Sequence, residues 1–108
     1  MAKNEMLPGT LGMLVLRVLQ PRPMHGYAIA QRIHTLPNEL LQVEEGSLYP
    51  ALQRLLVKGW VKAEWGMSDN NRRARYYTLT SSGRKQLGVE AENFDRMIRA
   101  IARVMQTA

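Results

Sequence analysis

Glu44-Glu45-Gly46-Ser47-Leu48-Tyr49-Pro50-Ala51-Leu52-Gln53-Arg54-Leu55-Leu56, closed by Gly59-Trp60, is the stretch that decides how this chain folds. Leu48, Leu52, Leu55 and Leu56 recur at helical spacing and define one buried face. Ser47, Tyr49, Pro50, Gln53, Arg54 and Lys58 are left facing outward or sideways. The acidic pair at the start suits the positive end of a helix dipole. Gly46 or Glu45 fits the cap, and Pro50 is then tolerated because first-turn N–H groups have no partner within the helix. Gly59 is the expected stop, a residue that takes the left-handed conformation without strain. A short helix with an apolar back and a polar front is held on its domain by one side and offers the other to a partner.

Downstream, Trp60-Val61-Lys62-Ala63-Glu64-Trp65 alternates as a strand does. Gly66 to Asn71 is a polar turn, and Arg72 to Thr80 resumes with the β-rich Tyr76-Tyr77-Thr78-Leu79-Thr80, which makes a hairpin. Trp60 and Tyr77 are expected in the core, and Trp65 either packs at the hairpin base or forms an apolar edge. Upstream, Thr10 is the expected N-cap after the turn signal Pro8-Gly9. Leu11, Leu14, Val15, Val18 and Leu19 mark one face of a helix, with Met13 and Leu16 off it, and Pro21-Arg22-Pro23 ends it. A second helix is expected from near His25-Gly26 to about Thr35, with Ile29 and Ile33 inward, His25 capping or orienting its start, and Leu36-Pro37-Asn38 ending it. Leu40 to Val43 reads as a minimal strand.

Thr80-Ser81-Ser82-Gly83 then opens a long final helix. Leu87, Ala91, Phe94, Ile98, Ile101 and Met105 recur in it at alternating spacings of four and three, a short heptad seam. That seam runs almost to the last residue, while the first three helices already supply a core. A second protomer is therefore its expected partner.

Composition narrows the chemistry. A chain of 108 residues holds one domain, and its 45% hydrophobic content is that of a folded protein. The absence of cysteine excludes disulfides and zinc fingers, and two histidines argue against a protein-only metal site. Leu11 to Leu19, the longest apolar region, is broken by Gly12 and Arg17 and is far short of a membrane span. The first residues carry no secretory pattern, so a cytoplasmic protein is expected. No nucleophile–base set and no phosphate-binding glycine loop occurs, so neither an enzyme nor a cofactor is expected. The net charge of +6 is localised. Between Arg54 and Lys85 lie eight basic residues and only the acids Glu64 and Asp69, an excess equal to that of the whole chain. Such confinement points to a polyanion-facing surface, with a merely solvated face as the alternative.

The element order is helix, helix, helix, hairpin, long helix. The expected fold is mainly α with a small β-hairpin: a winged helix-turn-helix over residues 1–80 and a C-terminal dimerisation helix over 81–108, in one compact unit. B-DNA's major groove, about 12 Å wide, admits one helix. The third helix is the candidate reader, through Ser47, Tyr49, Pro50, Gln53 and Arg54. Arg72, Arg73 and Arg75, beside the hairpin turn, are placed to reach phosphate or minor groove. Each has a structural alternative: Tyr49 as a half-buried packing residue, Arg54 as half of an ion pair.

The segments His25-Gly26-Tyr27-Ala28-Ile29, Gly46 to Leu55, Gly59-Trp60-Val61 and Arg73-Ala74-Arg75-Tyr76-Tyr77-Thr78-Leu79-Thr80-Ser81-Ser82-Gly83 resemble the PadR family of bacterial transcription regulators, from about Thr10 to Leu87. The resemblance implies a homodimer paired through its C-terminal helices, and a repressor that leaves double-stranded operator DNA when a small molecule binds. The single C-terminal helix resembles the short, multidrug-sensing branch, although here it carries Phe94 and no tryptophan. The candidate dimer interface and effector site is Leu87, Ala91, Phe94, Met97, Ile98, Ile101 and Met105. Its methionines are adaptable, so a small apolar or phenolic effector is expected. A dimer implies a palindromic site. The alternative function is a winged-helix protein-interaction module that does not bind DNA.

Overall fold

The computed structural model describes residues 9–34 and 43–107. Its first helix, α1 (Thr10–Val18), is the hub of the packing, touching every other helix. Val15 and Leu16 are fully buried, and Leu19, the C-cap residue, is nearly so. Leu16 therefore belongs to the core, whereas Leu11, Leu14 and Val18 are only partly buried. α1, apolar around much of its girth, is packed from several sides. Its N-cap is Gly9, at φ 84°, rather than Thr10, because the turn into the helix uses the left-handed conformation open to glycine.

A two-residue strand, β1 (Met24–His25), leads directly into α2 (Gly26–His34). The His25 ring accepts a hydrogen bond at Nδ1 from the Ala28 N–H, 3.1 Å away, and so caps α2 as expected. At the other end, His34 Nε2 accepts from the Val43 N–H at 2.7 Å, tying α2 to the residue just before the cap of the next helix. The expected continuation to Thr35, the stop at Leu36-Pro37-Asn38 and most of the strand at Leu40 to Val43 lie outside the described residues.

The third helix, α3 (Glu45–Val57), is capped by Glu44. It starts earlier than expected if Gly46 were the cap, which places Pro50 in its second turn rather than its first. A proline there lacks the N–H that would reach Gly46, and the packed leucines of the helix offset that loss. The helix ends in a Schellman arrangement. Gly59, at φ 76°, donates its N–H to Leu56 at 3.0 Å, and Trp60 donates to Leu55 at 3.0 Å.

Two long strands follow, β2 (Val61–Met67) and β3 (Arg73–Leu79). The antiparallel sheet runs in the order β1-β3-β2, with Ala63 opposite Tyr77, Trp65 opposite Arg75, and His25 opposite Tyr76. The pairing extends through Gly66 and Met67, so the turn is shorter than the sequence suggested. Ser68 accepts from Asn71 at 2.9 Å and donates to Arg72 at 2.8 Å, while Asn71 takes φ 59°. That residue type tolerates the left-handed region because its short polar side chain strains it little. Gly66 leaves room for the Tyr76 ring, whose Oη donates to the Met67 carbonyl at 2.9 Å.

The last helix, α4 (Ser81–Thr107), is pinned by its N-terminus. Thr80 Oγ1 accepts from the Gly83 N–H at 3.0 Å and donates to the Gly59 carbonyl at 2.7 Å, while the Thr80 N–H donates to the Trp60 carbonyl at 3.1 Å. The core joins Val15, Leu16, Ile29, Ile33, Leu48, Leu52, Val61, Tyr77, Leu79 and Leu87, so all three helices of the motif, both long strands and the start of α4 share it. Among the described residues, no helix is long and apolar enough to cross a membrane.

Candidate nucleic-acid interface

Helix α3 divides cleanly. Leu48, Ala51, Leu52 and Leu55 are buried, while Gly46, Ser47, Tyr49, Pro50, Gln53, Arg54 and Lys58 are exposed. At about 100° per residue the buried set spans roughly 100° of the circumference and the exposed set roughly 180°. The six residues expected on the outward face are all there, while Leu56, expected on the buried face, is only partly buried at its margin. Tyr49 combines both of its readings. It is 50% exposed, yet its ring lies so close over Gly26 that a Cβ there would come within 3.1 Å of it. The glycine lets the N-terminal ends of α2 and α3 meet, and the tyrosine is braced rather than swinging free.

The hairpin forms the wing. Arg73, Arg75, Tyr77 and Leu79 alternate onto one face of β3, opposite Met67, Trp65, Ala63 and Val61 of β2. Near the body this face is core; toward the tip it is exposed, with Trp65 61% accessible. There the Arg73 guanidinium lies 4.5 Å from the Trp65 ring centroid, and that of Arg75 lies 6.0 Å from the Tyr77 ring centroid. Cations over aromatic faces are weakly attracted, by about 0.5–1 kcal/mol at exposed sites, so both guanidinium groups are biased toward these positions. Arg72 is different. It closes the turn, and it borders a groove between the wing and α2. Arg73 borders the same groove, so the three arginines, all within four residues, are spread over both sides of the wing. Trp60 packs against the core with the Lys58 ammonium 4.7 Å from its ring centroid.

The seam on α4 splits as well. Leu87 is buried in the domain's own core, whereas residues 91–107 are all exposed. Phe94, Met97, Ile98, Ile101, Val104 and Met105 make an uncovered apolar band. They lie within about 120° of the helix circumference. Val104 is part of this band and was missed because it sits off the strict heptad positions.

Residues 15–89 match the transcriptional regulator PadR-like family. The chain is 31% identical over 87 residues, 81% of its length and 80% of the other's, to "Uncharacterized protein X" of Lysinibacillus sphaericus. Among solved structures it resembles a transcriptional regulator from Clostridium thermocellum, at 27% identity and TM-score 0.78, covering 85% of this chain and 89% of that one. It also resembles a PadR family transcriptional regulator from Eggerthella lenta, at 28% identity and TM-score 0.77, covering 93% and 85%. The family match takes in the capped start of α2, the two-faced α3, the arginine-bearing wing and the pinned start of α4, and the chain belongs to the PadR-like family of transcriptional regulators.

Proposed function

We propose that the chain is an operator-binding repressor that works as a homodimer and is released by a small apolar or phenolic effector. The observation that carries this reading is the division of α3, whose exposed half bears Ser47, Tyr49, Pro50, Gln53 and Arg54, next to a wing with Arg72, Arg73 and Arg75 exposed. Base edges in the major groove are read by hydrogen bonds from such a face, while phosphate contacts set position and supply salt-dependent affinity. The uncovered band on α4 supports pairing with a second copy, and two α3 helices one DNA turn apart fit a palindromic site of roughly 34–36 Å half-site spacing. Phe94, Met97 and Met105 supply soft apolar contacts for an effector between the paired helices.

The test is duplex binding by fluorescence anisotropy, using a site selected from a randomised DNA pool. The double variant Arg72→Ala/Arg73→Ala should bind more than tenfold more weakly, and its salt dependence should flatten by about two in log–log slope. Binding that ignores both salt and the two substitutions would refute the wing's role. Release of the duplex on titration with planar phenolic compounds, accompanied by a fluorescence change, supports the effector site; no release across the series counts against it.

A further inference from the structure

The side chain of Tyr49 does not point straight out from α3. Its hydroxyl oxygen, Cε1 and Cζ lie 3.0, 3.1 and 3.3 Å from where a Cβ on the buried Gly26 would stand. The tip and one edge of the ring therefore lean on the start of α2. Half of the residue stays exposed, and what it offers outward is the opposite edge and the ring face, which are carbon. The seat beneath the ring is itself held. His25, next to Gly26, accepts the Ala28 N–H at Nδ1, and its ring meets that of Tyr76 edge-on at 5.4 Å.

Around this ring the exposed face of α3 is polar or small. Ser47 and Gln53 carry hydrogen-bonding groups, Arg54 carries a charge, and Gly46 has nothing within 4 Å of its Cβ position. Tyr49 is the large apolar surface in the first two turns of that face, with Pro50 beside it. The first turns of a helix lying in the major groove are the ones that meet base edges. Most features presented there are hydrogen-bond donors and acceptors, and the apolar one is the C5-methyl of thymine. A donor or acceptor pressed against ring carbon loses its bond to water and gains none, whereas a methyl group loses nothing.

We infer that the Tyr49 ring reads a thymine methyl in the major groove, and that Gly26 is the positioning residue that sets the pose of the ring. The inference rests on the DNA-binding reading above and names the base feature that the reading leaves open.

The probe is a duplex selected from a randomised pool, rebuilt with each of its thymines in turn replaced by uracil, which pairs identically and lacks only the methyl. At one thymine per half-site the wild-type chain should bind the uracil duplex about fourfold more weakly, the worth of one buried methyl group. Tyr49→Phe should keep that penalty, because the ring remains. Tyr49→Ala should bind thymine and uracil duplexes alike. In Gly26→Ala the ring must give by a few tenths of an ångström. Alanine suits the first turn of α2, so this variant should fold with unchanged helix content by circular dichroism, and its uracil penalty should fall below about twofold. In the Tyr49→Ala background the same substitution should change nothing, since it acts through the ring.

A wild-type chain that binds the selected duplex and every uracil version equally overturns the inference and leaves the DNA-binding reading intact. So does a penalty that survives Tyr49→Ala, which would assign the methyl to another residue such as Pro50, or one that is lost in Tyr49→Phe, which would assign the contact to the hydroxyl. A Gly26→Ala effect that persists without the tyrosine ring overturns the positioning role of Gly26. A wild-type chain that retains no duplex at low salt overturns the DNA-binding reading and this inference with it.

Discussion

The two ends of α4 are one helix under opposite conditions. Its first two turns are held on one side: Thr80 caps them, Gly83 has no space for a side chain, and Leu87 sits in the core. From Gly88 onward the helix has no buried residue, although it carries Phe94, Met97, Ile98, Ile101, Val104 and Met105 on one side. Isolated helices are marginal in water, and most helical stability in proteins comes from packing of an apolar face. The first end is stabilised by its own domain, and the second is built to be stabilised by something else. One helix is thus a structural member of the winged unit at its start and, in the homodimer proposed above, would join two units at its far end.

The sharpest way to break the contrast is at Gly83. A Cβ there would lie 1.9 Å from the Trp60 carbonyl oxygen, which is backbone and cannot rotate away. Gly83→Ala must push α4 off the junction between α3 and β2, with loss of about 3–5 kcal/mol in denaturant unfolding. Gly88, only five residues on, has nothing within 4 Å of the same position. Gly88→Ala should be neutral or stabilising by up to about 1 kcal/mol, since alanine is the better helix former. A Gly83→Ala protein as stable as wild type would mean that the first end of α4 is not tied down.

The next effect is on self-association. Ile98→Asp places a charge in the middle of the uncovered band. Sedimentation should show dimerisation weakened at least a hundredfold, about 2.7 kcal/mol. The unfolding midpoint extrapolated to low protein concentration should hardly move, because Ile98 touches no core residue of its own domain. A variant that stays dimeric would place the partner elsewhere on the surface.

This contrast was only partly visible in the sequence. The leucines of α3, the alternation of β2 and the seam of α4 were legible because each pattern repeats within its own element. Gly83 looked like ordinary punctuation in Thr80-Ser81-Ser82-Gly83; the reason it must be glycine is a carbonyl more than twenty residues earlier. Strand β1 was invisible for the same kind of reason. Two residues, Met24 and His25, have no period, and they become a strand only because the edge of β3 is beside them. Leu16 lies off the periodic stripe of α1 yet is fully buried, because a helix packed from several directions has no single buried stripe. At the candidate site, the exposed set on α3 could be read from spacing, and so could the cations of the wing. That Arg73 and Arg75 lie over aromatic rings, and that Arg72 and Arg73 also border the groove beside α2, depends on cross-strand register and on the turn at Ser68, neither of which periodicity encodes.

The smallest effects come from polar side chains on the two ends, and they sharpen the comparison most finely. Thr80→Ala removes both the cap on the Gly83 N–H and the bond to the Gly59 carbonyl, in a partly buried setting, and should cost about 1–2 kcal/mol. Asp95 and Arg99 form an ion pair of 3.0 Å on the outer half, with 58% and 73% of their side chains exposed. Exposed pairs one helical turn apart contribute little after solvent screening and side-chain ordering, so Asp95→Ala should shift unfolding by less than about 0.5 kcal/mol. Both variants can be measured by the same denaturant titration, in the dimeric concentration range. If Asp95→Ala matched Thr80→Ala, the pair would have to be shielded from water in the assembly. The second copy would then wrap past the apolar band onto the polar side of α4, and the interface would be wider than that band alone.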